Sequence, residues 1–289
     1  MINNRTFIKD FNDRAEFIQF DQKYSEIFRA HDNKAITSLN SEPVVGYCVC
    51  CDKHVQMSLN FRHANIRVDG SINIAWSEQF KCEFCGLNSR LRAVLNFLLS
   101  VENKHEKRVW LLEHKTEFAD ALEKIYPRLT KSEFLGTERS SGEYFKFENE
   151  LPIMHQDILH PSFEPESFDL IVHNEVLEHV ADYQRAISEC SRLLVTGGQM
   201  VFTTPFFFRV EKTVQRTAIV DSEVKYLLPA VYHGNPISNK GSLVFFDFGW
   251  DILEAIEGAG LSPKLKMYYD PLYGHKGYGM FIFVSEKII

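Results

Sequence analysis

The chain has 289 residues, 45% of them hydrophobic and 24 of them Phe, which is enough for a sizeable core. A net charge of −7 argues against a broad basic face for nucleic acid or anionic membrane, while leaving room for a local patch. No apolar run approaches the ~18 residues of a membrane span, and the polar start MINNRTFIKDFNDRAEF is unlike a secretory signal, so the expected location is cytoplasmic.

Residues 5–31 place Phe7, Phe11, Phe17, Phe20, Tyr24, Ile27 and Phe28 at roughly helical spacing. This predicts a helical N-terminal arm over 1–43, closed by the breaker SLNSEP (38–43). A small module over 44–100 follows. Met57, Leu59 and Phe61 alternate with polar residues, as do Ile66/Val68 and Ile72/Ile74/Trp76, with Gly70 at a hairpin turn. CGLNSRLRAVLNFLLSVE then switches to helical period, with Asn88 or Ser89 as the cap.

Five of the six cysteines lie in this module. Cys48-x2-Cys51 and Cys82-x2-Cys85 stand thirty residues apart, the spacing of a zinc ribbon in which four thiolates surround one ion. Gly86 suits the positive φ such knuckles need. Four thiolates leave no open position, so the zinc is expected to be structural. Cys50 either replaces a neighbour or stays free; His54 and His63 lie nearby and are not needed.

From 105 to 289 strands alternate with helices. Strands fit at 108–113, 132–137, 153–157, 168–173, 199–204 and 279–285, and helices at 116–126, 181–193 and 249–259. This order predicts an α/β, doubly wound, Rossmann-like parallel sheet. Residues 206–246 are too long for a plain connection and are expected to form a lid. No glycine occurs between Gly86 and Gly136, so the first strand-to-helix turn, VWLLEHKTEF (109–118), lacks the glycine loop common in nucleotide-binding sheets. FDLIVHNEVLEHV (168–180) is a buried strand whose carboxyl end, where open sheets bind ligands, opens onto Asn174 and Glu175.

FDLIVHNEVLEHV and LLVTGGQMVFTTPF (193–206) resemble the fourth-strand motif and the following motif of class I S-adenosylmethionine-dependent methyltransferases. CEFCGLNSRLRA (82–93), SEFLG (132–136), YHGNP (232–236) and FGWDIL (248–253) are similar to segments of a narrower bacterial group with an N-terminal zinc module and a glycine-poor first motif. The resemblance implies S-adenosylmethionine as cofactor. It implies Asp157, in QDIL, at the adenine amino group, with a turn-capping role as the alternative. In place of the glycines, Glu113 is expected near the cofactor ammonium, and Thr116 with the helix N-terminus near its carboxylate. Glu133 or Glu138 would hold the ribose hydroxyls, Glu133 being preferred.

A hydroxyl acceptor requires a base. His179, in VLEHV, and Tyr232 with His233, in YHGNP, are the favoured acceptor-site residues, ahead of His173 and His275. Each has a structural alternative: His179 bracing the strand–helix turn, and YHGNP shaping the lid. Asp247 and Asp251 either pair with a histidine or cap the next helix, capping being preferred for Asp251. The group's association with surface polysaccharides implies a sugar, or a sugar-nucleotide or other saccharide, as acceptor. Aromatic residues over 206–248 would suit stacking on a sugar or a lid core of their own. Two other readings compete. One is an RNA methyltransferase clamping RNA with SRLRA, Lys81, Arg62 and Arg67; the other is a non-catalytic, zinc-stabilised adaptor. The acidic total argues against nucleic acid.

Overall fold

The computed structural model describes residues 7–33, 43–61, 64–66, 72–147, 151–235, 238–270 and 274–288. The expected breaker at 38–42, and with it Val68, the Gly70 turn, His63, Arg62, Arg67 and Pro236, lies outside them. The chain divides into two compact units, Met1–Glu102 with Leu265–Ile282, and Asn103–Lys264 with Phe283–Ile289.

The first unit opens with strand β1 (Phe7–Phe11) and helix α1 (Arg14–Asn33), so the start of the expected helical arm is a strand. Phe11, Phe17, Phe20 and Phe28 are buried, and Phe11 meets Phe17 edge to face at 5.3 Å. The module that follows is a three-stranded antiparallel sheet of β2 (Val44–Cys48), β3 (Lys53–Leu59) and β4 (Phe80–Cys82). Trp76 begins a short helix, Trp76–Gln79, instead of ending a strand. Helix α2 (Ser89–Ser100) is capped by Asn88, whose side chain accepts from the Leu91 amide at 2.8 Å.

In the second unit β5 (Val109–Leu111) leads into α3 (Glu117–Glu123) and β6 (Leu129–Lys131). Next come β7 (Phe168–Asn174), α4 (Tyr183–Leu193) and β8 (Leu194–Thr203). A hairpin of β9 (Tyr232–Asn235) and β10 (Ser238–Leu243) precedes α5 (Ile252–Gly258), β11 (Leu261–Tyr269) and β12 (Phe281–Lys287). Within this unit the sheet runs β6-β5-β7-β8-β12. Its first four strands are parallel and β12 runs antiparallel to β8, so the α/β sheet is mixed, not purely parallel. In the first unit β1 pairs antiparallel with Leu265–Tyr269 of β11.

The core of this sheet is what the apolar runs dictate. Leu170, Ile171 and Val172 of β7, with Met200, Val201 and Phe202 of β8, are buried on both faces, as parallel strands require. Trp110 of β5 is fully buried, donates its indole N–H to Ser132 Oγ at 2.8 Å and stacks near Phe168; such a side chain contributes roughly 2–3 kcal/mol by burial. Helix α4 ends at Leu193, as the predicted span 181–193 has it, and Gly197-Gly198 lie within β8. The glycines lie where the β7–β8 register shifts, between the Phe168–Leu194 and Leu170–Gln199 partners. Gly197 has φ +75°, and a Cβ on Gly198 would meet the Val195 carbonyl at 2.9 Å. Residues 206–246 form short hairpins, Thr217–Val220 with Glu223–Tyr226 and β9 with β10.

Candidate functional site

Parallel strands bring their carboxyl ends to one edge, and in the second unit that edge is acidic. Glu113 stands two residues past β5 and Glu133 two past β6, while Asn174 closes β7. Asn174 Nδ2 donates to Glu113 Oε1 at 2.8 Å, and Thr116 Oγ1 donates to Glu113 Oε2 at 2.6 Å. Thr203 Oγ1 in turn donates to Asn174 Oδ1 at 3.2 Å, so four expected or adjacent residues form one chain across the strand ends. Thr116 also caps α3, accepting from the Ala119 amide at 3.0 Å; its proton is committed to Glu113, not aimed outward.

The His114 amide donates to Glu133 Oε2 at 3.2 Å. Burial, helped by the nearby Glu113 charge, pushes the Glu133 carboxyl up to about 7. Glu138 is exposed and pairs with Arg139 at 3.5 Å, so of the two it is Glu133 that shares the edge with Glu113. Glu175 holds φ +54° and donates its amide to the Thr203 carbonyl at 2.9 Å; a non-glycine residue so placed is strained, a common feature of ligand clamps. Asp157 Oδ1 accepts from the Leu159 amide at 2.9 Å, a turn-capping role.

A second group lies past β7. Glu178, fully buried, was not among the residues singled out in the sequence; its signal was the three-residue spacing from Glu175 on one turn of chain. Its Oε2 accepts from Thr204 Oγ1 at 2.9 Å. Its Oε1 lies 3.5 Å from His179 Nε2 and 3.7 Å from His233 Nδ1. The two imidazoles meet edge to face at 5.1 Å, and His179 Nδ1 is 2.8 Å from the Leu243 carbonyl on β10. Glu178 beside it raises the His233 pKa above the ordinary histidine value. Sequence positions 179 and 233, far apart in the chain, are thus brought together. Tyr232 is exposed, its hydroxyl 3.2 Å from that of Tyr226.

His173 and His275 are fully buried core residues, and burial pushes both down to about 3. Asp247 pairs with Arg216 at 2.5 Å. Asp251 stands at the N-cap position of α5, but its carboxylate accepts from the Thr213 amide and hydroxyl instead of capping the helix. Of the lid aromatics, Phe246 and Phe248 pack on Tyr183 as core, while Phe207, Tyr226 and Tyr232 are exposed.

In the first unit the sulfurs of Cys48, Cys51, Cys82 and Cys85 all lie within 4.8 Å of one another. Cys48 is 3.7 Å from Cys85 and Cys51 is 3.8 Å from Cys82. A tetrahedron with metal–sulfur bonds of about 2.3 Å has edges of about 3.8 Å, so the donor set fits zinc. The hydrogen bond from Cys85 and burial hold the Cys48 thiol well above its usual range, and burial with the neighbouring Cys48 pushes Cys51 up to about 12. Gly86 has φ +76°, as the knuckle requires. Cys50 packs against the cluster outside this set of four. The arginines of SRLRA are engaged: Arg90 pairs with Glu78 at 2.6 Å, and Arg92 is fully buried, donating to the Leu87 and Gly274 carbonyls.

Residues 111–202 match the family described as "Methyltransferase domain". This stretch is similar to a methyltransferase domain. It spans β5 to β8 and contains the acidic edge and the Glu178–His179 pair. With the α/β sheet, the match supports an S-adenosylmethionine-dependent methyltransferase of class I. A ubiquinone biosynthesis O-methyltransferase of Chelativorans sp. (strain BNC1) is 31% identical over 109 residues, 37% of this chain and 39% of that protein. The chain thus spans about two fifths of the length of the curated relative it matches. Among solved structures, a methyltransferase from Mesorhizobium loti aligns at TM-score 0.43 and 16% identity over 68% of this chain and 96% of its own. An amino pentose methyltransferase from Micromonospora echinaspora aligns at 0.42 and 14% over 68% and 89%. No helix among the described residues is long and apolar enough to cross a membrane.

Proposed function

We propose that the protein transfers a methyl group from S-adenosylmethionine to a hydroxyl of a sugar or sugar-containing small molecule. The observation that carries the reading is the acidic strand edge, Glu113 with Glu133, inside the methyltransferase-domain match. A buried carboxyl pushed up to about 7 is under-satisfied, and a ligand offering hydroxyl donors and a cationic group would relieve it. The cofactor has both: ribose hydroxyls suit Glu133, and an ammonium suits Glu113.

S-adenosylmethionine, when bound, supplies a methyl carbon attached to a sulfonium. Thr203, Asn174 and Thr116 fix the Glu113 carboxylate, so its charge is pre-oriented at little entropic cost. Glu175 would present its strained backbone to the cofactor, and Asp157 would face the adenine from its capped turn. His179 and His233 sit where an acceptor proton would be handled, with Tyr232 at the exposed rim. An O–H acceptor needs such groups, which supports O-methylation, as does the name of the ubiquinone-pathway relative. The sugar rests on the resemblance of YHGNP and FGWDIL to the bacterial group and on the exposed Tyr226 and Tyr232. The four cysteines would hold a zinc ion that staples the first unit, and the site of action would be cytoplasmic. The engagement of Arg90 and Arg92 weighs against the RNA-clamp reading.

The test is transfer of labelled methyl from S-adenosylmethionine to a panel of nucleotide sugars and free glycosides, with amine sugars and RNA as comparators. Alkali-stable ether product on a neutral sugar is expected. Product only on nitrogen or on RNA would contradict the reading.

A further inference from the structure

Glu178 poses a problem of charge. The Oε1 oxygen of this fully buried carboxylate makes no hydrogen bond of ordinary length, and two imidazole nitrogens, His179 Nε2 and His233 Nδ1, stand 3.5 and 3.7 Å from it. His179 settles its own tautomer: Nδ1, 2.8 Å from the Leu243 carbonyl, must carry the proton, so in the neutral ring Nε2 turns a lone pair toward Oε1. Two electron-rich atoms facing each other in a buried place are repulsive unless something positive lies between them.

We propose that Glu178 Oε1, His179 Nε2 and His233 Nδ1 bind a divalent transition-metal cation at the acceptor side of the methyltransferase domain. The three atoms lie within 4.8 Å of one another. Ligands about 2.0–2.2 Å from a tetrahedral ion stand about 3.4 Å apart, close to the 3.5 and 3.7 Å that separate Glu178 Oε1 from the two imidazole nitrogens. Two imidazoles and one carboxylate are a donor set for Mn²⁺, Fe²⁺, Co²⁺ or Zn²⁺, and they leave positions open, unlike the closed four-thiolate site. The orienting contacts such a site needs are built in: Thr204 fixes the other oxygen of Glu178, and Leu243 fixes His179. His233 comes from the β9–β10 hairpin, so its ligation would also tie that hairpin to the strand edge.

The cation site stands on this geometry; its use in catalysis rests on the function proposed above. There, His179 and His233 would act on the acceptor proton through the ion they hold and not as bases themselves: the acceptor hydroxyl would take an open position and lose its proton to solvent more readily than it would unaided. The oxygen lone pair then forms the O–CH3 bond as the C–S bond breaks, its electron pair staying on sulfur and neutralising the sulfonium. Acceptors with two neighbouring oxygens, able to occupy two open positions, would be preferred.

Zinc-loaded protein, with its thiolate site filled, is titrated with Mn²⁺ and the free-ion signal followed by electron paramagnetic resonance. Co²⁺ is followed in parallel by its visible bands. One ion per chain is expected, with bands lacking thiolate charge transfer. Glu178→Gln and His233→Ala should each weaken binding at least about tenfold while leaving S-adenosylmethionine affinity, read by calorimetry, within about threefold. If Glu178→Gln does not fold, His233→Ala, whose side chain is partly exposed, carries the comparison. No Mn²⁺ or Co²⁺ binding by the folded wild type, or unchanged binding in the folded variants, overturns the site. Cation binding without any S-adenosylmethionine binding would leave the site standing and remove the methyltransferase function instead.

Discussion

Glu133 carries the clearest pH signature. Its folded pKa, about 7, lies above the ordinary value of 4.5, so the folded state holds this proton more tightly than the unfolded chain. The group's contribution to stability is therefore fully present below about 4.5 and is lost as pH rises toward 7. Cofactor binding as proposed would have the opposite sign, because ribose hydroxyls would donate to the ionised carboxylate. S-adenosylmethionine affinity should rise between about pH 5.5 and 7.5, and Glu133→Gln should flatten that rise; calorimetry across the range reads both. Glu113 was legible in the sequence because it follows the apolar run VWLL; Glu133 was singled out by the resemblance of SEFLG, in a strand expected at 132–137, whereas β6 is Leu129–Lys131 and Glu133 lies past its end. Glu178 was not legible, because its meaning depends on Thr204 and His233, which only the folded chain brings to it.

At the scale of elements, the β9–β10 hairpin positions His233. Gly241 has φ +74°, and a Cβ there would lie 2.7 Å from the His233 carbonyl. Gly241→Ala should cost about 1–2 kcal/mol locally and displace His233. Methyl transfer should then fall at least about tenfold, while S-adenosylmethionine affinity changes little. The cysteine module gives a second prediction. Cys82→Ser should raise amide exchange over Val44–Cys48 and Lys53–Leu59 by at least about tenfold, since Cys82 belongs both to the four-sulfur set and to the small core formed by Met57, Trp76 and Phe80. Its CxxC spacing was legible outright, as was β7, a continuous apolar run. By contrast β11 was missed, although Leu261, Leu265 and Met267 alternate toward the interior. Pro263 obscured the pattern, and its partner β1 lies at the other end of the chain.

At the scale of the whole molecule, charge decides between classes of acceptor. With a net charge of −7 and Arg90 and Arg92 engaged internally, weak affinity for nucleic acid is expected. Filter binding with bulk tRNA near 50 mM salt should show no saturable complex below about 10 μM, and a tight complex with a steep salt slope would restore the RNA reading. The alternation of strands and helices made the α/β class legible, whereas the antiparallel pairing of β12 and the division of the chain into two units depend on contacts distant in sequence.

The central claim, that a carboxylate held by Asn174 and Thr116 replaces the glycine loop of a cofactor site, is tested most directly by calorimetric titration of S-adenosylmethionine into wild type and Glu113→Ala. A charge-assisted hydrogen bond of about 1.5–3 kcal/mol predicts binding weakened by about tenfold to a hundredfold in the folded variant. Equal affinity in the two proteins, or no binding by zinc-loaded, folded wild type, would contradict the account.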